Sequence, residues 1–404
     1  MIGREQSTNF LRGLSYVLCR LQELKAYWLI HSQDLYEKAN IAQSMGYEKD
    51  LPEKISSRLT QLFNFSDESV QPVAFESQLS ELLRNKSISD VAKIIHCSLI
   101  KLVKGQQQRI EKLADEPTFL LLIEASELLE LGREKIGSSD ALIEIDLAIL
   151  NEDERDEKAA LGQISVLPGR PDSFVYSPEK DCDPEAASAC ETELAKFIHF
   201  VAIHIEVCAM EVCSYNILTY ADMPQKFRTD MAQQIWDEGR HFLIFAEYLK
   251  SHLDTEIGDY PYQLDVWLKH QKGTGLLEQL AIEQVLQEGD AVGHNLRLIA
   301  GLKKVERYPE LRELLSFINA DETIHTRIGN KWLTYMCEQH HDNYLEILHT
   351  AAEKIGKTIP GNVKLRPAML EFLGFPEVYR EHLMALNIPR KPKPVVNKEL
   401  STES

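Results

Sequence analysis

Apolar residues recur every three or four positions near the start of the chain, between Thr8 and His31. The positions on this stripe are Phe10, Leu14, Val17, Leu18, Leu21 and Trp28. Such spacing, with charged residues between, predicts a long amphipathic helix. Segments 90–113 and 116–136 show the same period, and Pro117 suits a first helical turn. We therefore expect a helical N-terminal domain over residues 1–148.

The next stretch, residues 149–190, loses this periodicity. It begins with an acidic run and contains Pro168, Gly169, Pro171, Pro178 and Pro184. Proline lacks the amide donor that a helix interior needs, so one continuous helix is excluded. We expect an ordered connector that crosses the domain surface, with a mobile linker as the alternative.

Helical periodicity returns in four segments, at 186–221, 224–251, 262–303 and 308–340, the third interrupted near Gly273 and Gly275. Each break contains proline, in YADMP, GDYPY and RYPE. No long alternation of apolar and polar residues predicts a strand, so the fold class is all-α. We expect a four-helix bundle over 191–345 and further helices over 346–388. The proline-rich, basic and then polar tail 389–404 is predicted to be disordered.

Glu-x-x-His pairs are the first sign of chemistry, because residues three apart on a helix share a face and can bind one cation. The chain has four such pairs, so one pair alone proves nothing. They are Glu238/His241, Glu322/His325, Glu338/His341 and Glu346/His349. The last two flank the polar break HHDN and lack a suitably spaced acid at a helix centre. We interpret both as chance matches.

A dinuclear site in a four-helix core also needs one carboxylate from each remaining helix. Facing residues near the centres of two antiparallel helices are separated by about 25 to 35 positions. Glu206 precedes Glu238 at such a spacing, and Glu288 precedes Glu322. Glu211 and Glu283 are the second choices on their helices. An unpaired carboxylate in apolar surroundings is costly, and divalent cations would remove that cost.

An aspartate precedes the glutamate of each retained pair. Asp237 and Asp321 are placed to accept a hydrogen bond from an imidazole across the bundle, which would fix the nitrogen that faces the metal. Exposed acids are the alternative. The predicted metal ligands, which are also the predicted catalytic residues, are Glu206, Glu238, His241, Glu288, Glu322 and His325.

Charge and cysteine content narrow the class of protein. A net charge of −19 argues against a nucleic-acid partner. Seven cysteines without a C-x-x-C pair suit reduced thiols better than a disulfide framework. Charged residues interrupt the apolar N-terminal segment, so neither a signal peptide nor a membrane span is expected. We predict a cytoplasmic protein that does not bind membranes.

Four segments together resemble a known family. The motifs LPGRP (167–171), HIEVCAMEV (204–212), WDEGRHF (236–242) and ADETIHTRIGNKWL (320–333) resemble an uncharacterised bacterial branch of the ferritin-like superfamily. The resemblance covers about residues 160–385. It implies a ferritin-like four-helix bundle with a di-iron carboxylate site at the six positions named above.

A mixed carboxylate and imidazole site suits iron or manganese. Our leading hypothesis is an oxidase or oxygenase with two iron ions, or a manganese–iron pair, that activates O2. It would hydroxylate, desaturate or N-oxygenate a small organic substrate. An external electron donor and a homodimer are left open. The alternatives are a ferroxidase or peroxide-handling protein and a metal-free helical scaffold, while the acidic balance disfavours a tRNA hydroxylase.

Overall fold

The prediction of an all-α fold is confirmed by the computed structural model. It describes residues 3–62, 72, 74–147, 158–179, 186–359 and 367–385. Within these ranges the chain forms helices and no strand. An isolated β-bridge joins Tyr176 and Tyr262. The predicted tail 389–404 lies outside the described residues.

Six helices form within the described part of residues 1–148. Their starts follow local rules: the Asp34 side chain accepts from the Tyr36 and Glu37 amides at 2.8 and 3.2 Å, and Pro117 lies in a first turn. The helices are α1 (Arg4–His31), α2 (Leu35–Glu48), α3 (Leu51–Gln61), α4 (Phe75–Asn85), α5 (Ile88–Gln107) and α6 (Glu116–Ile136). Periodicity thus predicts α1, α5 and α6, whereas it does not delimit α2 to α4.

The remaining helices follow the predicted breaks closely. Gly275, whose φ is 152°, lies at the interruption predicted within segment 262–303, and the next helix begins at Leu276. In chain order they are α7 (Glu191–Phe200), the π-helical segment π1 (Val201–Val207), α8 (Cys208–Thr219), α9 (Gln225–His252), α10 (Asp265–His270), α11 (Leu276–Leu280), the π-helical segment π2 (Ala281–Gln287), α12 (Glu288–Lys304), α13 (Pro309–His340), α14 (Tyr344–Lys354), α15 (Pro367–Phe372) and α16 (Glu377–Ala385).

The N-terminal helices pack directly on the helices that follow, since α2 lies along α9 and α1 along α8. A Cβ atom on Gly46 of α2 would lie only 2.2 Å from Cγ of Trp236 on α9. Glycine therefore permits this close approach. Buried apolar residues of both parts belong to one continuous core. The proposed boundary at residue 148 stays a prediction, because the packing does not separate the two parts.

The described part of the connector is tied to both parts of the chain. The Gly169 amide donates to Ile30 O at 2.9 Å, at the end of α1, and the Trp267 indole donates to Val166 O at 3.0 Å. Arg170 is 7% exposed and reaches Glu211 on α8. This part of the connector is thus ordered and partly buried. Its residues 149–157 and 180–185 lie outside the described ranges.

Among the described residues, one helix, Glu191–Thr219, is long and apolar enough by composition to cross a membrane. Its apolar window is 89% buried against the rest of the chain. It is therefore explained as a core helix, and the cytoplasmic location stays a prediction.

Candidate metal centre

The structure brings all six sequence-predicted site residues together in the interior. Glu206 lies in π1, one Glu-x-x-His pair lies midway along α9, and the other lies midway along α13. Glu288 is the first residue of α12. Every one of these side chains is buried, with at most 4% exposed. The six are Glu206, Glu238, His241, Glu288, Glu322 and His325.

These residues form two groups of four that overlap. In each group the donor atoms lie within 4.8 Å of one another, which is close enough to surround one ion. One group adds Glu206 and His241 to the shared pair, and the other adds Glu288 and His325. The shared pair is Glu238 and Glu322. The two groups could hold two neighbouring cations, with the shared carboxylates between them.

The shared carboxylates each turn one oxygen toward each histidine. Glu238 Oε2 lies 3.2 Å from His241 Nδ1, and Glu238 Oε1 lies 3.1 Å from His325 Nδ1. For Glu322 the corresponding distances are 3.6 Å from Oε1 and 3.4 Å from Oε2. A carboxylate that divides its oxygens in this way can bridge two ions.

Both histidines direct Nδ1 into the cluster and Nε2 away from it. His241 Nε2 lies 3.1 Å from Asp321 Oδ2, and His325 Nε2 lies 3.3 Å from Asp237 Oδ2. Each aspartate therefore contacts the histidine on the opposite helix. A hydrogen bond at Nε2 places the proton there and leaves the Nδ1 lone pair for a metal.

Arg240 and Gln233 hold these aspartates in turn. Arg240 Nη2 lies 3.0 Å from Asp321 Oδ2, and the same guanidinium contacts Asp237. Gln233 Nε2 donates to Asp237 Oδ2 at 2.7 Å. Neither residue is predicted by the sequence pattern. A polar side chain one turn from a predicted aspartate was the signal that could have found Gln233.

The two single carboxylates lie at π-helical segments, which the periodicity did not predict. Glu206 lies within π1, and Glu288 follows π2 directly. A π-helical turn widens the helix and occurs frequently at functional sites. Both halves of the site therefore share the same local distortion beside the same type of side chain.

Electrostatics in the cluster favour protons or cations beside its carboxylates. Burial, followed by the charge of a neighbouring carboxylate, raises the pKa of Glu206 and of Glu288 well above the usual value. For Glu238 burial acts in the same direction, but charged His325 and hydrogen bonds from the histidines outweigh it and hold the pKa well below its usual value.

The histidines show the reverse balance. Burial alone would lower the pKa of each ring, but hydrogen bonds and charges from the surrounding carboxylates raise it well above the usual value. His325 Nδ1 is buried and makes no hydrogen bond within the described structure, although Glu238 Oε1 lies 3.1 Å away. An inward nitrogen without a hydrogen bond, surrounded by carboxylate oxygens, fits a bound divalent cation.

The second-choice acids have other partners. Glu211 is fully buried and lies 2.8 Å from Lys38 Nζ, while Arg170 Nη2 lies 2.9 Å from its second oxygen. Glu283 accepts a hydrogen bond from Gln287 Nε2. Its pKa is raised to about 8, and burial is the largest cause. Neither acid belongs to the two groups of four. Glu211 instead fixes α8 to the N-terminal helices and the connector.

The two remaining Glu-x-x-His pairs lie outside the cluster, which agrees with reading them as chance matches. Glu338 and His341 are exposed at the end of α13. Glu346 is exposed on α14, and His349 packs against the ring of His382 at 5.6 Å.

Comparison with known proteins gives one match. The model of a family described as "Protein of unknown function (DUF455)" matches residues 133–367, which is more than half of the chain and includes all six site residues. No curated protein and no solved structure matches the chain.

Proposed function

This chain belongs to the DUF455 family of proteins of unknown function, and we propose that it is a dinuclear non-haem iron oxidase or oxygenase. In this proposal O2 is the co-substrate and a small organic compound is oxidised. The six residues Glu206, Glu238, His241, Glu288, Glu322 and His325 hold the two ions. The proposed architecture is a ferritin-like bundle built from two similar helix pairs.

The observation that carries the proposal is the sharing of Glu238 and Glu322 between the two groups of four. Structural ion pairs also create buried carboxylate clusters, but they need a lysine or an arginine within reach. Here the six residues provide four carboxylates and two imidazoles in one buried cluster, and none of them is a lysine or an arginine. Two divalent cations would neutralise the four carboxylates with both histidines uncharged.

The donor set favours iron or manganese. Neither group of four contains a thiolate, and carboxylate oxygens with imidazole nitrogens suit iron and manganese. Iron bound there would supply the reducing electrons for reaction with O2. An iron pair is our first choice, and a manganese–iron pair is a close variant.

The chain's own residues orient and enclose this centre. Asp237 and Asp321 hold the Nε2 protons of the two histidines, so that Nδ1 is directed inward. The burial of all six side chains excludes bulk water, which strengthens electrostatic contacts inside the site. Substrate access then requires an opening among the helices. A small substrate, including an amine, suits an interior of this kind.

The proposal is tested by anaerobic reconstitution with Fe(II), followed by measurement of iron per chain and of O2 uptake. We expect about two irons per chain and O2 uptake, in line with the two groups of four. The variant Glu288→Ala should lose about one ion and abolish uptake. A matched control is Glu313→Ala, which changes an exposed glutamate on α13 and should leave both unchanged.

Other outcomes separate the alternatives. Fewer than one bound ion and no O2 uptake would contradict the proposal and favour a metal-free scaffold. Two bound ions with uptake only in proportion to added Fe(II) would indicate a ferroxidase. Uptake that an organic substrate stimulates catalytically would support the oxygenase.

A further inference from the structure

A buried glutamine links the two halves of the candidate metal centre. Gln234 lies on α9 one turn before Glu238 and has no exposed surface. Its Nε2 donates to Glu288 Oε1 at 2.7 Å and to Glu238 Oε1 at 3.3 Å. One amide therefore holds a carboxylate of α12 against a carboxylate of α9.

The orientation of this amide follows from its neighbours. A carboxylate that holds a cation is ionised and only accepts hydrogen bonds, so the NH2 end of Gln234 faces Glu288 and Glu238 in the proposed centre. Its Oε1 is then left buried without a partner among the described residues. A buried unpaired acceptor is costly, and the charge-assisted contacts of Nε2 offset that cost. The residue is thus placed for its contact with Glu288.

The equivalent position on the other half cannot make this contact. Gln234 precedes His241 by seven residues, and the residue seven before His325 is Ile318. Ile318 is 1% exposed and has no side-chain donor. Among the described contacts, Glu206 makes its hydrogen bond with His241 and none with an amide side chain.

The residues that precede the two single carboxylates also differ in polarity. In π1 the residues one, four and five positions before Glu206 are Ile205, Ala202 and Val201. At the same offsets before Glu288, π2 carries polar side chains, namely Gln287, Gln284 and Glu283. At these three offsets the Glu288 half is therefore polar, whereas the Glu206 half is apolar.

We propose that the two metal positions are inequivalent, and that Gln234 preorganises the position formed with Glu288 and His325 so that it fills first. The position formed with Glu206 and His241 fills second, because no amide side chain among the described contacts restrains Glu206. This inference depends on the proposed metal centre. Hydrogen bonds that orient a ligand side chain contribute strongly to metal affinity, with losses of about 10 to 100-fold on their removal.

The test is an anaerobic titration with Mn(II), in which bound and free metal are distinguished by electron paramagnetic resonance. The expected result is two steps whose dissociation constants differ by at least about tenfold. Gln234→Met should weaken the tighter step by about 10 to 100-fold and merge the two. Ile318→Met, a change of similar volume at the equivalent position, should preserve both steps.

A second pair of variants identifies the position that fills first, without changing Gln234. His325→Ala should abolish the tight step, whereas His241→Ala should keep it. Equal affinities in the unmodified protein, an unchanged titration of Gln234→Met, or the reverse result with the histidine variants would overturn the inference. In each of these cases the unmodified protein still binds two ions, and the proposed function stands. Failure of the unmodified protein to bind Mn(II) or Fe(II) would overturn both.

Discussion

Asp321 on α13 lies 3.1 Å from Nε2 of His241 on α9, while the neighbouring Glu322 turns an oxygen toward Nδ1 of the same ring at 3.6 Å. Two consecutive acids thus contact opposite edges of one imidazole. In the same way, Asp237 and Glu238 on α9 lie close to Nε2 and Nδ1 of His325 on α13. Each helix therefore orients the histidine of its neighbour.

Removal of Asp321 should weaken metal binding more than it weakens the fold. Asp321→Ala deletes the acceptor at His241 Nε2, and loss of such a contact lowers metal affinity by about 10 to 100-fold. The Asp321 side chain is 22% exposed, so little core packing is lost. Anaerobic Fe(II) titration together with thermal unfolding measures both effects. The exposed Glu313→Ala serves as the control. Unchanged iron affinity would show that Asp321 does not orient the ring.

Glu211 should prove structural and not a metal ligand. Glu211→Ala leaves Lys38 and Arg170 as buried cations without their carboxylate, which should lower the free energy of unfolding by about 3–5 kcal/mol. Chemical denaturation measures this change. Glu211→Gln keeps the shape of the side chain and should retain two bound irons per folded chain. Loss of one ion in that variant would instead make Glu211 a ligand.

The candidate cluster could be predicted from the sequence because its signal is local and repeated. Glu238 and His241 share a helix face because they are three residues apart. The number of residues between Glu206 and Glu238 follows from helix and turn lengths. The partners of Glu211 could not be predicted, because Lys38 reaches it only after the N-terminal helices pack on α8. The π-helical turns also leave no periodic signal, since one extra residue in a turn changes no residue type.

His270 should contribute a distinct dependence of stability on pH. It is fully buried beside Asn216 Oδ1, 3.3 Å from Nε2, and burial lowers its pKa to about 3. The unfolded chain, with a histidine pKa near 6.5, binds the proton more readily between these values. Stability is therefore full above pH 6.5 and falls by about 1.4 kcal/mol per pH unit as the pH decreases toward 3.

The variant His270→Gln isolates this contribution. Urea denaturation of both proteins between pH 4 and 6 should give a shallower loss of stability for the variant, by up to about 1.4 kcal/mol per pH unit. The other buried histidines are common to both proteins and cancel in the difference. Parallel curves for the two proteins would show that His270 takes up no proton on unfolding in this range.

Gly169 should tolerate no side chain, because the connector backbone there lies against the end of α1. A Cβ atom would lie 2.4 Å from Ser32 O and 2.6 Å from His31 O, and backbone atoms cannot move aside as a flexible side chain can. Gly169→Ala should destabilise the protein by about 1–3 kcal/mol and speed proteolysis of the connector.

Gly105, on α5, has nothing within 4 Å of its Cβ position. Gly105→Ala should therefore stabilise by about 0.5–1 kcal/mol, as alanine is the better helix former. Equal effects of the two changes in denaturant titrations would mean that the connector does not need this close contact. A large loss at Gly169 alone, with metal content preserved, would assign the connector a structural role separate from the ligands.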